Sequence, residues 1–129
     1  MAGDYVLDTN IVIALLKGED GVASRVASAP SVWIPFPVLG ELHYGARNSA
    51  HPEENVARVE QIAEHFSVLF PDMATVREYG VVRSRLKEIG HPIPEADLWI
   101  AALTIQHGLT LVSRDTHFED VGRLQLQRW

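Results

Sequence analysis

The sequence predicts an α/β protein of three layers, with a mainly parallel sheet of four to five strands between layers of helix. Short apolar runs of strand length at residues 5–8, 32–34, 67–70 and 109–113 alternate with stretches whose apolar residues recur at helical spacing. The intervening stretches are long enough for helical crossovers, which parallel neighbours require and which run right-handed. With 129 residues and no repeat, linker or low-complexity tract, the chain is expected to form a single domain over residues 1–129. A domain of that size buries roughly two thirds of its unfolded surface and folds without staples.

Residues 5–8 read as a buried strand ending in a carboxylate, Asp8. Thr9 or Asn10 then caps a helix to about Lys17, and Gly18 ends it. That helix is apolar without break from Ile11 to Leu16, so it should be covered on more than one side, by the sheet and by another helix or a partner subunit. Asp20 caps a short helix to about Ala29, with Val22, Val26 and Ala29 at helical spacing. Residues 32–34 form the second strand, stopped by Pro35 and Pro37, and Pro37 opens a helix to about Asn48 that carries Glu41. Pro52 starts a helix whose Val56, Val59, Ile62, Ala63 and Phe66 make one apolar stripe.

Residues 67–70 are the third strand, after which Pro71 and Asp72 open a long helix to about Ile89, closed by Gly90 and Pro92. Beyond the stiff Pro92–Pro94 link, a helix from Glu95 to Gln106 buries Leu98, Ala101, Ala102 and Ile105, holds Asp97 in its first turn and stops at Gly108. Residues 109–113 are the fourth strand, with Asp115 just past it, and residues 124–126 add an edge strand.

Composition narrows the chemistry. The chain has no cysteine, which removes disulfides and thiolate metal sites and fits a reducing compartment, so the cytoplasm is the expected location. The apolar run at 11–16 is far too short to span a bilayer and follows acids, so neither signal peptide nor membrane anchor is expected. Seventeen acids against eleven bases give a formal charge of -6, which repels nucleic acid unless bound cations reverse the field locally.

In a sheet of this kind ligands bind outside the carboxyl ends of the strands, and Asp8, Glu41, Asp97 and Asp115 all occupy such settings. Each has a plainer explanation: Asp8 caps a helix, Asp97 complements a helix dipole, Asp115 forms a turn. Glu41 sits among Leu39, Gly40, Leu42, Gly45 and Ala46, where close helix packing is expected, and its burial would be costly without a cation. Together the four suit divalent metal, since hard cations take oxygen ligands, and two ions about 3.5–4 Å apart clamp the attacking and leaving oxygens of a phosphodiester. Thr9 and Asn10 would brace the acids or position water, with simple capping as the alternative. Arg114, beside Asp115, is placed to meet a phosphate.

Four stretches carry a resemblance: Val6-Leu7-Asp8-Thr9-Asn10, Gly40-Glu41-Leu42-His43-Tyr44-Gly45, the segment from Ile93 to Ala102, and Leu111-Val112-Ser113-Arg114-Asp115-Thr116-His117-Phe118. In this order, over nearly the whole chain, they resemble the PIN-domain superfamily and, within it, VapC-type toxin ribonucleases. The resemblance implies a PIN-like α/β/α fold and an endoribonuclease dependent on Mg2+ or Mn2+ that cuts cellular RNA. It further implies inhibition by a cognate VapB-type antitoxin inserting beside the active site, a homodimer, and Asp8, Glu41, Asp97 and Asp115 as the metal-binding acids. The chain departs from many relatives in carrying Ala96 where they have Asn before the third acid, and His117 where they have an acid before Phe118. Asp115 is therefore the main candidate for the fourth acid, while Asp120 reads as solvated surface.

Other chemistries find little support. The six histidines form no His-Glu-x-x-His pattern, and no Gly-rich phosphate loop or nucleophile elbow is present. Arg77, Arg83, Arg85 and Lys87 read as a solvated helix face, and Trp33, Trp99 and Trp129 as core or interface residues. Two alternatives stay open: another metal-dependent phosphoesterase, which should show an Asp-x-Asp pair where this chain has Asn10, and a non-catalytic binding module on the same fold.

Overall fold

The structure is a computed structural model describing residues 3–129. In order it comprises β1 (Asp4–Leu7), α1 (Thr9–Leu16), α2 (Asp20–Ser28), β2 (Ser31–Pro35), α3 (Phe36–Arg47), α4 (Pro52–His65), β3 (Ser67–Leu69), α5 (Met73–Glu88), α6 (Glu95–Gln106), β4 (Thr110–Val112), a 3-10 helix (Thr116–Asp120) and β5 (Gln125–Gln127). The strands lie in the order β3-β2-β1-β4-β5, and every neighbouring pair is parallel.

That order fixes where a ligand can sit. From β1 the chain steps outward to β2 and β3, then returns through α5 and α6 to place β4 on the other flank of β1. Crossovers therefore leave β1 and β4 in opposite directions, opening a crevice at their carboxyl ends. The main-chain N–H of Asp8 donates to the Val112 carbonyl at 3.0 Å, carrying the β1–β4 ladder to the edge of that crevice.

Side chains alternate across a strand, so burial of consecutive residues reports cover on both faces. Val6 and Leu7 are both fully buried, as are Leu111 and Val112, while the edge strands β3 and β5 expose Ser67 and Gln125. The sheet is thus covered on both faces at its centre, as the continuous apolar runs implied.

Several local expectations are corrected. Asp8, not Thr9 or Asn10, caps α1, and Glu19, not Asp20, precedes α2. Helix α6 buries Ile100, Leu103 and Thr104 along with Leu98, Ala101 and Ala102, leaving Ile105 only partly covered, so it is enclosed nearly all round. Buried Thr104 donates its hydroxyl to the Ile100 carbonyl at 2.8 Å, which removes the cost of an unpaired polar group. Helix α1 buries Ile11, Val12 and Ala14 but leaves Ile13 38% exposed, so its outer side is open. The close packing expected around Glu41 is absent: Gly40, Glu41 and Gly45 are exposed, and a Cβ on either glycine would meet nothing within 4 Å. The 3-10 helix after Asp115 was not foreseen. Gly18 and Gly90 end α1 and α5 at φ of 76° and 73°, backbone that other residues adopt only with strain. Among the described residues, no helix is long and apolar enough to cross a membrane.

Candidate metal centre

Asp8 ends β1 and caps α1 in one step. Its Oδ1 accepts the Thr9 main-chain N–H at 2.8 Å and its Oδ2 accepts the Ser113 hydroxyl at 2.6 Å, with the Asn10 amide at 3.5 Å. Ser113, itself buried, also accepts the Asp115 N–H at 3.0 Å, so one hydroxyl joins the acid that ends β1 to the acid that follows β4. Asp115 caps the 3-10 helix through the His117 N–H at 2.9 Å. The His117 ring turns back with Nδ1 2.8 Å from Asp97 Oδ2 and 3.2 Å from Asp115 Oδ2. On the other flank, the Thr9 hydroxyl donates to Glu41 Oε2 at 3.0 Å. The hydrogen bonds thus run unbroken from Glu41 through Thr9, Asp8, Ser113, Asp115 and His117 to Asp97.

Burial sets the electrostatics. Asp8 is 5% exposed and Asp97 is 8% exposed. Desolvation is the main force raising the Asp8 carboxyl above its usual range, opposed by the Ser113 and Thr9 hydrogen bonds and reinforced by Asp115. Asp97 is likewise raised, first by burial, against the hydrogen bond from His117 and with the repulsion of Asp8 and Asp115. His117 is raised above an ordinary imidazole, chiefly by its hydrogen bond to Asp97 and then by the surrounding negative charge.

Donor atoms of Asp97, Asp115 and His117 all lie within 4.8 Å of one another. Ligand atoms about 2.0–2.6 Å from a cation are at most about 4–5 Å apart across it, so this donor set fits one divalent ion. Asp8 adjoins the trio through Ser113, and Glu41 stands at the solvent edge beyond Thr9.

The remaining expected residues divide. Asn10 braces the crevice, its Oδ1 accepting the Arg114 N–H at 3.1 Å. The Arg114 guanidinium grips Glu19 at 2.6 and 3.3 Å and donates to the Trp129 carbonyl at 2.8 Å. Asp120 pairs with His91 at 2.7 Å, Trp99 stacks on Tyr79, and the Trp129 ring meets Tyr5 edge-on. Sequence reasoning missed Ser113 and His117. The available signal was a hydroxyl ending a buried strand two residues before an acid, and an imidazole two residues after that acid beside a core phenylalanine.

A family model described as PIN domain matches residues 5–124. The chain is 32% identical over 130 residues to Ribonuclease VapC1 of Haemophilus influenzae, covering 97% of each chain. It is 34% identical over 128 residues to the tRNA(fMet)-specific endonuclease VapC of Shigella flexneri, again covering 97% of each. Among solved structures, DNA-bound VapBC from Salmonella typhimurium superimposes with a TM-score of 0.90 at 28% identity, over 98% of both chains. With an all-parallel sheet and a carboxylate crevice at the β1–β4 switch point, and with relatives matching over almost its full length, the chain belongs to the PIN domain family, in its VapC group.

Proposed function

We propose that this protein is a divalent-metal-dependent endoribonuclease in which Asp8, Glu41, Asp97 and Asp115 hold Mg2+ or Mn2+, and that it acts in the cytoplasm as the toxin of a toxin–antitoxin pair. The observation that carries the reading is the donor set of Asp97, Asp115 and His117 at the switch point, spaced for one ion, with hydrogen bonds through Ser113 and Thr9 tying Asp8 and Glu41 to it. A cation in the crevice supplies positive charge for the phosphodiester that a chain of net charge -6 otherwise lacks, and makes a water more acidic. Asp97 and Asp8 enter that role from rigid elements, the first turn of α6 and the end of β1, with rotamers fixed by His117, Ser113 and Thr9. Glu41 is the acid in solvent, and so the one that meets an incoming strand and its attacking water. An Asp-x-Asp phosphatase pair is not available, because Asn10 fills the second position and is bound to the Arg114 backbone.

The partner reading rests on the open side of α1. Ile13, Leu16, Leu42, Ala46 and Val59 line an apolar groove whose mouth is Thr9 and Glu41. An antitoxin of the VapB type would lay an apolar helix there and direct a basic side chain, arginine for preference, to the carboxylates. A homodimer and a single domain over residues 1–129 complete the proposal. Mapping of cleavage ends on total RNA, with and without chelator, tests the activity. Attack by water leaves 5′-phosphate and 3′-hydroxyl ends only when metal is present; cyclic phosphate ends that persist in chelator would point to attack by the RNA's own 2′-hydroxyl and overturn the reading.

A further inference from the structure

Within the crevice one donor is nitrogen. His117 Nδ1 lies 2.8 Å from Asp97 Oδ2 and 3.2 Å from Asp115 Oδ2. Around an octahedral ion with bonds of about 2.1 Å, adjacent ligand atoms are roughly 3.0 Å apart, so ring and carboxylates already stand at the spacing of neighbouring ligands. The ring is also held in place from behind. The His117 main-chain N–H donates to Asp115 Oδ1 at 2.9 Å, and the next residue, Phe118, is 1% exposed and plugged into the core, so the backbone that carries the ring is fixed. Although the His117 side chain is 47% exposed, its ring is held by the contact with Asp97 and by this anchored backbone, and so is a positioned donor.

Resting on the metal-site reading above, we infer that His117 is itself a metal ligand and that it turns the site from magnesium toward transition ions such as Mn2+ and Co2+. Mg2+ demands oxygen ligands and gives up water reluctantly, whereas affinity for nitrogen-containing sites rises from Mn2+ to Co2+ and Ni2+. A neutral imidazole also brings no negative charge, so it adds little to the electrostatic attraction that holds Mg2+ while supplying the covalent preference of the transition ions. The net effect is selectivity. The competing role for the same geometry is a protonated His117 that bridges Asp97 and Asp115 as a counter-ion, and that metal must displace. The two roles predict opposite signs on removing the ring.

The test is binding of Mg2+, Mn2+ and Co2+ to the purified, metal-stripped protein by calorimetry at one mildly alkaline pH, with pulsed EPR of the Mn2+ complex. Wild type should bind Mn2+ and Co2+ more tightly than Mg2+ and show nitrogen hyperfine coupling. His117→Ala should lose on the order of tenfold in Mn2+ and Co2+ affinity, keep Mg2+ affinity nearly unchanged and lose the coupling. His117→Asp should bind Mg2+ more tightly than wild type and narrow the gap between the ions. Tighter binding of all three ions by His117→Ala would establish the counter-ion role and overturn the inference, as would bound Mn2+ without nitrogen coupling in wild type; metal-dependent cleavage would survive both results. Failure of wild type to bind any of the ions would overturn this inference and the metal-site reading together.

Discussion

On the β4 side of the crevice, Asp97 and Asp115 are joined through His117, and Asp8 is joined to Asp115 through the buried Ser113 hydroxyl; on the α3 side, Glu41 stands in solvent with the Thr9 hydroxyl 3.0 Å away. The first wall holds buried carboxylates, at 5% and 8% exposure for Asp8 and Asp97, whose proton affinity is raised first by burial and further by Asp115 beside both and by Asp8 beside Asp97. The second wall holds one acid that costs the empty protein little. Desolvated acids close together oppose folding when ionised, and a cation relieves exactly the term that burial creates. On the proposed metal-site reading, the braced wall supplies most of the metal affinity and bears the repulsion felt without metal, while Glu41 completes the set at the solvent edge, where a substrate arrives.

The largest effect should come from the braced wall. Asp97→Asn or Asp8→Asn should lower RNA cleavage about a thousandfold or more, since a lost ligand forfeits several kcal/mol of transition-state charge stabilisation. Asn also caps helices well, so Asp8→Asn should keep α1 and the fold, as circular dichroism would show. Full activity in either purified variant would break the division between the walls.

Adding metal sharpens the same contrast in stability. A hundredfold excess of Mn2+ over its dissociation constant should stabilise wild type by about 2.7 kcal/mol, read as a rise in melting temperature. Without metal the sign with pH is set by three groups. The contributions of Asp8 and Asp97, raised from 3.8, are fully present below that pH and are lost as pH rises through their folded values. His117, raised from 6.5, acts in the same direction at higher pH: its contribution is complete below 6.5 and lost as the ring deprotonates. Apo melting temperature should thus fall as pH climbs from the acid range past neutrality, and the gain from Mn2+ should grow over that window because protons compete with metal. Melts in EDTA and in Mn2+ at several pH values check this, and an apo protein that grows steadily more stable with pH would contradict it.

Ser113→Ala removes the hydroxyl that links Asp8 to Asp115 and should cost about 2 kcal/mol, because the Asp8 carboxylate is left buried with one fewer donor. Denaturant titration measures it, and the loss should shrink at acid pH, where Asp8 takes a proton. The smallest effect belongs to the open wall. Glu41→Gln should leave the apo melting temperature unchanged and reduce cleavage only about ten- to a hundredfold. A loss as deep as that of Asp97→Asn would erase the distinction between the walls.

How much of this was legible in the sequence follows from how local each signal is. Asp8 stood out because an apolar strand ends in a carboxylate and a helix begins at once; the parallel sheet followed from the alternation of elements, whereas its strand order did not. What concerned distant partners was hidden. Ser113 meets Asp8 across 105 residues, and Arg114 meets Glu19 across 95, so a lone hydroxyl ending a strand and an arginine beside an acid each had several equal readings. The small residues around Glu41 announced close packing, but composition does not say which face of α3 meets a neighbour, and Gly40 and Gly45 face solvent. His117 stood out only as a departure before Phe118 until the 3-10 turn aimed its ring at Asp97.

The central claim is that this carboxylate crevice cuts RNA through a bound divalent ion, and the most direct measurement is cleavage of an end-labelled RNA by the metal-stripped protein as Mn2+ is titrated back, in wild type and in the Glu41→Gln, Asp97→Asn double variant. The account predicts no cleavage in EDTA, saturable recovery in wild type and no recovery in the double variant at the same Mn2+ concentrations. Cleavage undiminished by EDTA, or equal recovery in both proteins, would contradict it.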